Sequence, residues 1–431
     1  MVIIGENMKN RRKKNLIMIL FMGILFIGIG YAFLTTTLNI SGTTDVDANT
    51  WNVYWDNVQV TTGSVSATTP TIDTGKTTVT FSAHLSKPGD FYEFTVDAKN
   101  DGTIDAMIDL ITQTMDIPNY INYRVTYSDG IPIEEKQLLN ANAKETYKVR
   151  VEYNTDIDPG DLPNTAQSLT LTYGTTYLQA DSTATRVLHP NAFATDDWET
   201  IVSAVKYGAT DKYHVGDTKT FNLVDYRTHT VRIANMSNPP ECNDPNFSQT
   251  ACGFVIEFID YITVPMEMSS YENTNVGGWP DTKIRTYLNG TFYNSLPNEL
   301  QEGIMNTKVI SSHGSTAGES NFTSTDKSYL LSIHEVLEDV DGNPNTGIDY
   351  NDSAYNNTRQ LDYYKSLGIT TSNFEGIAKP GGVWWTRTAY KTNPNQYFCV
   401  NGENTYYASI ISAMVKESVI PAFRIGARSN N

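Results

Sequence analysis

The chain has 431 residues and a formal net charge of −17, from 31 Lys+Arg against 48 Asp+Glu. Lys9, Arg11, Arg12, Lys13 and Lys14 stand together near the start, so the remainder is more acidic still, which excludes a phosphate-contacting nucleic-acid binder. Three cysteines in so long a chain exclude a disulfide-built scaffold and leave apolar burial to form the cores.

Leu16 to Leu34 is an unbroken apolar run directly after the basic cluster. At about 1.5 Å per residue, a helix over it spans roughly 30 Å, the thickness of a bilayer's hydrocarbon core. The basic cluster stays on the cytoplasmic side, so the run predicts a single pass and export of everything after Tyr31. Gly30-Tyr31-Ala32 offers a small-x-small cleavage site after Ala32, whereas the run is longer than the usual signal core of about 7–15 residues. Residues 1–34 are therefore either a signal peptide or a signal-anchor helix. The run has no polar face, which argues against a buried core helix.

Residues 35–180 read as a succession of period-2 strands. Val79, Phe81, Ala83 and Leu85 alternate with polar residues before the turn Lys87-Pro88-Gly89-Asp90. Tyr92, Phe94, Val96 and Ala98 follow, then a hairpin turn at Asn100-Asp101-Gly102. Further strands carry Ile121 to Tyr127, Tyr147 to Tyr153, and Leu169, Leu171 and Tyr173. Short strands with no amphipathic helix among them predict an all-β sandwich of Ig or jelly-roll type, with Trp51, Val53 and Trp55 as its largest inward side chains. Asp97 and Asp101 imitate part of an EF-hand loop, but Lys99 and Ile108 stand where ligands belong.

Tyr31-Ala32-Phe33, the Trp51-x-Val53-x-Trp55 strand, Leu85-Ser-Lys-Pro-Gly-Asp90 and Phe94-Thr-Val-Asp-Ala-Lys-Asn-Asp-Gly-Thr103 resemble Gram-positive biofilm-fibre and camelysin-type surface proteins. The resemblance covers roughly residues 16–180. It implies export through a dedicated signal peptidase.

A polar linker at 181–190 precedes an α+β domain over 191–427. Asp196 and Asp197 suit a helix cap, with Trp198, Ile201, Val202 and Val205 at helical spacing before Gly208. Strands are expected at Thr218–Val224, Thr228–Ile233 and Phe254–Ile262. A helix opens at Pro280, with Ile284, Tyr287 and Leu288 on one face, and ends at Asn289-Gly290. Pro297 opens another, carrying Leu300 and Ile304. Cys242 and Cys252 flank a Pro/Asn/Ser-rich loop and are a candidate disulfide, with two free thiols as the alternative. Cys399 reads as a small core residue.

Val383-Trp384-Trp385-Thr386-Arg387-Thr388, Tyr397-Phe398-Cys399-Val400 and Val419-Ile420-Pro421-Ala422-Phe423 resemble the C-terminal half of C-type-lectin-like folds. With Trp279-Pro280-Asp281 and Tyr287-Leu288-Asn289 they also resemble an uncharacterised domain of exported Gram-positive proteins. In the lectin-like fold the long loops before the last strands meet the ligand. The ligand-contact candidates are Trp385, Arg387, Tyr390, Asn401, Tyr406 and Tyr407, since rigid Tyr rings among Asn-rich loops suit adaptable contact surfaces. Asp339, Asp341, Asn343 and Asp349 supply oxygen donors for a hard cation, making calcium the candidate cofactor, although their spacing fits no EF-hand.

Enzyme signatures are weak. His334-Glu335 begins like a zinc-protease helix, but Glu338 replaces the second His. No catalytic residue is assigned. The expectation is a protein on the extracellular face of the membrane, or secreted after cleavage, with a stalk-like sandwich presenting a recognition head to a glycan or protein ligand. Two alternatives are an extracellular hydrolase of cell-wall or glycan substrates and a self-assembling biofilm-matrix fibre subunit built through sandwich edge strands.

Overall fold

The computed structural model describes residues 48–426, apart from 62, 64, 66–67, 166, 226, 270–271, 316–319, 340–351, 375–376, 378, 380–381 and 402–407. The apolar run 16–34 and its Ala32 site lie outside the described residues. No helix among the described residues is long and apolar enough to cross a membrane. The chain divides into two compact units, Met1–Asn49 and Thr50–Asn431, and every strand and helix named below belongs to the second. That unit is mostly β-sheet with few helices.

Its first strands are β1 (Val53–Val60), β2 (Thr68–Ile72), β3 (Val79–Ser82), β4 (Phe91–Asn100), β5 (Ala106–Gln113), β6 (Ile121–Tyr127), β7 (Leu138–Leu139), β8 (Ala143–Tyr153) and β9 (Tyr173–Gln179). They form an antiparallel sheet ordered β1-β4-β8-β6, a second ordered β7-β5-β9, and the hairpin β2-β3. Period-2 alternation places Tyr92, Phe94, Val96 and Ala98 of β4 and Tyr147, Val149 and Val151 of β8 in the core. The Tyr147 and Tyr177 hydroxyls meet at 2.8 Å, joining β8 of one sheet to β9 of the other.

The strand edges and turns depart from expectation in several places. Trp51 is exposed and Trp55 only partly buried, its ring edge-on to Tyr147. The interior is filled by tyrosines on longer, better-covered strands. The turn after Asn100 is no hairpin, because β4 and β5 belong to different sheets. The Asn100 side chain holds this crossing by donating to the carbonyls of Ile104 and Leu139, while its oxygen accepts from Gly102 N. The last strand starts at Tyr173, and Leu169 is exposed. The stretch 181–190 is stitched down: Thr185 bridges to Gln137, and His189 bonds Asp129 and Glu145 at 2.6 and 2.9 Å.

The second part opens with α1 (Trp198–Tyr207), where Asp197 accepts from Thr200 N and Gly208 closes the helix at φ 72°. Then come β10 (Thr218–Asn222), β11 (Thr228–Asn235), β12 (Phe254–Phe258), α2 (Lys283–Tyr287), α3 (Asn298–Gly303), β13 (Thr307–Ser311), β14 (Phe322–Asp326), β15 (Tyr329–Leu330), α4 (Ile333–Val336), α5 (Asp362–Ser366), β16 (Val383–Ala389), β17 (Gln396–Asn401), β18 (Ala408–Ser412) and β19 (Pro421–Ile425). The sheets are β10-β11-β12-β19-β15, β13-β14 and β16-β17-β18. The apolar face of α1 packs on α3, so closely that Val202 fills the space beside Gly303. The helix expected from Pro280 begins instead at Lys283, because Thr282 provides the cap, accepting from Arg285 N at 3.1 Å. It does not stop at Asn289-Gly290 but continues as a wider helical turn to Phe292.

Every residue of β12 is buried, so charge there must be paired. Glu257 accepts from Arg232 Nε at 2.6 Å, Lys379 Nζ at 2.7 Å and the Tyr364 hydroxyl at 2.9 Å. Burial drives the Lys379 amine down to about 8, partly offset by Glu257. Cys242 and Cys252 are joined as a disulfide, and Cys399 is a buried free thiol whose burial pushes its titration upward.

Candidate binding cleft

The residues singled out in sequence part company in three dimensions. Trp385 and Arg387 are fully buried, which removes them from any surface contact and corrects their assignment. Strand β16 is covered on both faces, so its Thr-Arg-Thr stretch is not a solvent face. Arg387 grips Glu335 through two bonds of 2.6 Å and donates also to the Leu330 carbonyl and the Thr250 hydroxyl. Glu335, the residue that imitated a zinc-protease motif, is the N3 acid of a capping box with Ser332 on α4. Burial would raise its carboxyl, but Arg387, Thr250 and Ser332 N outweigh that and hold it below the usual range. Trp385 donates from Nε1 to the Met266 carbonyl at 2.7 Å.

Tyr390 is half-buried, its ring edge-on to Phe398, at the β16–β17 turn. Asn401 is at the opposite end of β17, and Tyr406 and Tyr407 lie outside the described residues. Of the cation candidates, Asp339 is committed to Thr371, accepting from its N at 2.6 Å and its hydroxyl at 2.8 Å. Asp341, Asn343 and Asp349 lie outside the described residues. Among the described residues no group of three or more His, Cys, Asp or Glu side chains is placed to hold a metal.

The β16-β17-β18 sheet does border a cleft, made by residues that were not among the ligand-contact candidates, although Asp281 and Tyr397 belong to the Trp279-Pro280-Asp281 and Tyr397-Phe398-Cys399-Val400 motifs. It has a volume of about 350 Å³, and its lining includes Ser269, Glu272, Thr274, Asp281, Thr282 and Tyr397. Tyr397 is on central strand β17, paired to Ala389 and Ile411, and its ring stacks edge-on against Trp385. It is 2% exposed, yet its hydroxyl has no hydrogen-bond partner among the described residues. Burial, then the negative charge of Asp281, pushes the phenol upward, so it stays a proton donor.

The opposite wall depends on the loop 272–282. Asn275 is fully buried and its side-chain amide donates to the carbonyls of Tyr390, Asn393 and Gln396 at 2.7–2.9 Å, latching this loop to the β16–β17 turn. Gly277 and Gly278 both have positive φ. A Cβ on Gly277 would collide with the Asp281 carboxylate, and one on Gly278 would meet Phe322 at 2.7 Å. Two glycines therefore let the chain fold flat and bring Asp281 back to the cleft. Trp279 anchors the turn, donating from Nε1 to buried Asp326, which also accepts from Arg285. The sequence signal was the Gly-Gly pair directly before a buried Trp-Pro.

A larger cleft of about 410 Å³ opens beside α1, lined by Glu134, Arg186, Glu199, Lys206, Tyr207 and Glu299 among others. Much of its polar lining is internally engaged. Arg186 pairs with Asp197 and Glu199, and Tyr207 donates to Glu134. It reads as a seam between the two parts of the unit.

Residues 258–426 match the family model described as Domain of unknown function (DUF6273). No curated protein and no solved structure matches the chain. The match agrees with the expectation of an uncharacterised domain, over a shorter stretch than 191–427. Every residue named in the 350 Å³ cleft falls inside the DUF6273 region.

Proposed function

We propose that the chain is an exported, surface-displayed binding protein whose DUF6273 region carries the ligand cleft. The observation that carries this reading is Tyr397: a rigid, buried ring on a central strand, with an uncommitted hydroxyl facing a concave, polar space. That hydroxyl makes no hydrogen bond with the described residues and opens onto the cleft, so it is a donor that a ligand can reach. The acidic body and the apolar run 16–34 after five basic residues support export. The N-terminal sheets act in this reading as a sandwich-like stalk, and the lectin-like order of the last strands suits a recognition head. The reading assigns binding and no turnover.

The test is a glycan and protein-ligand array probed with the full chain in detergent, with and without calcium. The expected result is a discrete ligand set that Asp281→Asn weakens by about tenfold, as for loss of a charged hydrogen bond. Binding unaffected by Asp281→Asn would place recognition elsewhere.

A further inference from the structure

The cleft's chemistry narrows its ligand. Glu272 and Asp281 line it, and neither carboxylate is engaged in a hydrogen bond or ion pair among the described residues. No lysine, arginine or histidine is among its lining residues. Two uncompensated carboxylates in a chain of net charge −17 favour a cationic occupant. Tyr397 adds the second, independent indication. Its phenol is almost wholly enclosed by the protein, remains a donor, and lies near enough to Asp281 to feel its charge. Ser269 and Thr274 add hydroxyl oxygens to the same rim. Negative charge beside neutral donors and acceptors suits one ammonium on a hydroxyl-bearing scaffold. The volume of about 350 Å³ is at the small end for ligand pockets.

We propose that this cleft binds an amino sugar whose nitrogen is unacylated and protonated, with Asp281 and Glu272 facing the ammonium and the Tyr397 hydroxyl donating to a ligand oxygen. The inference rests on the reading of the cleft as a binding site and adds the ligand class to it.

The experiment is calorimetry on the full chain in detergent with a glucosamine tetramer, its fully N-acetylated counterpart and calcium chloride alone, repeated on Asp281→Asn, Glu272→Gln and Tyr397→Phe. The expected result is that the free-amine tetramer binds at least about tenfold more tightly than the acetylated one. Asp281→Asn erases that preference, while Tyr397→Phe weakens both sugars with the thermal unfolding midpoint unchanged. Equal binding of the two tetramers, with dependence on Tyr397, overturns the ligand class and leaves the binding site standing. Binding of neither tetramer overturns the ligand class, and the array then decides the site by itself. Calcium binding that displaces the amine and is lost in Asp281→Asn also overturns it, in favour of a cation site.

Discussion

Arg387 and Glu335 illustrate how much one buried pair governs. Both side chains have no exposure, and two bonds of 2.6 Å join them. Removing one partner leaves a charge without water or counterion, so Arg387→Met and Glu335→Gln are each expected to lower unfolding free energy by about 3–5 kcal/mol in denaturant titrations. The double replacement should recover part of that loss. Linkage gives the direction with pH. Glu335 and Glu257 both titrate below the ordinary carboxylate range, each against the upward push of burial. Their contribution is present above about pH 4.5 and disappears as pH falls through their folded values. At Gly278, φ 58° and ψ −150° belong to glycine alone. Gly278→Ala is expected to cost about 1–3 kcal/mol and to disturb the cleft wall, read by thermal unfolding and ligand titration together.

At the scale of elements, local signals were readable where their physics is local. Asp197 and Gly208 bracket α1 because a cap acceptor and a left-handed stop act within one turn. The alternation of β4 was equally plain. What escaped was decided by distant partners. The polar run Thr386-Arg387-Thr388 gives no sign of burial in the sequence, yet both faces of the strand are covered, and Arg387 finds its carboxylate 52 residues away. Tyr397 sits in an apolar run that reads only as core, and Asn275 resembles any loop asparagine until its three carbonyl partners are seen. The Cys242–Cys252 disulfide closes a short loop between β11 and β12. Replacing both by serine should lower stability by about 2–3 kcal/mol on the loop-entropy model, measured under identical oxidising conditions. Cys399 is fully buried, so a thiol reagent should modify it only after unfolding.

For the whole molecule, the polar linker at 181–190 is tied to the sheets beside it. His189 lies between Asp129 and Glu145, whose hydrogen bonds lift its titration to about 9, and its ring rests edge-on against Tyr127. A histidine raised in this way stabilises the folded state fully below about pH 6.5 and ceases to as pH rises through about 9. The melting difference between the natural chain and His189→Gln should therefore shrink between about pH 6.5 and 9.5, and a constant difference would contradict the ion-pair account. We place ligand binding by the DUF6273 region at Tyr397 and not at the outer Tyr/Asn loops. The most direct measurement is the affinity of the best array ligand for the full chain, Tyr397→Phe and Tyr390→Phe. Tyr397→Phe is expected to lose about tenfold and Tyr390→Phe to bind nearly unchanged, with both variants folded. Unchanged binding by Tyr397→Phe would contradict that placement.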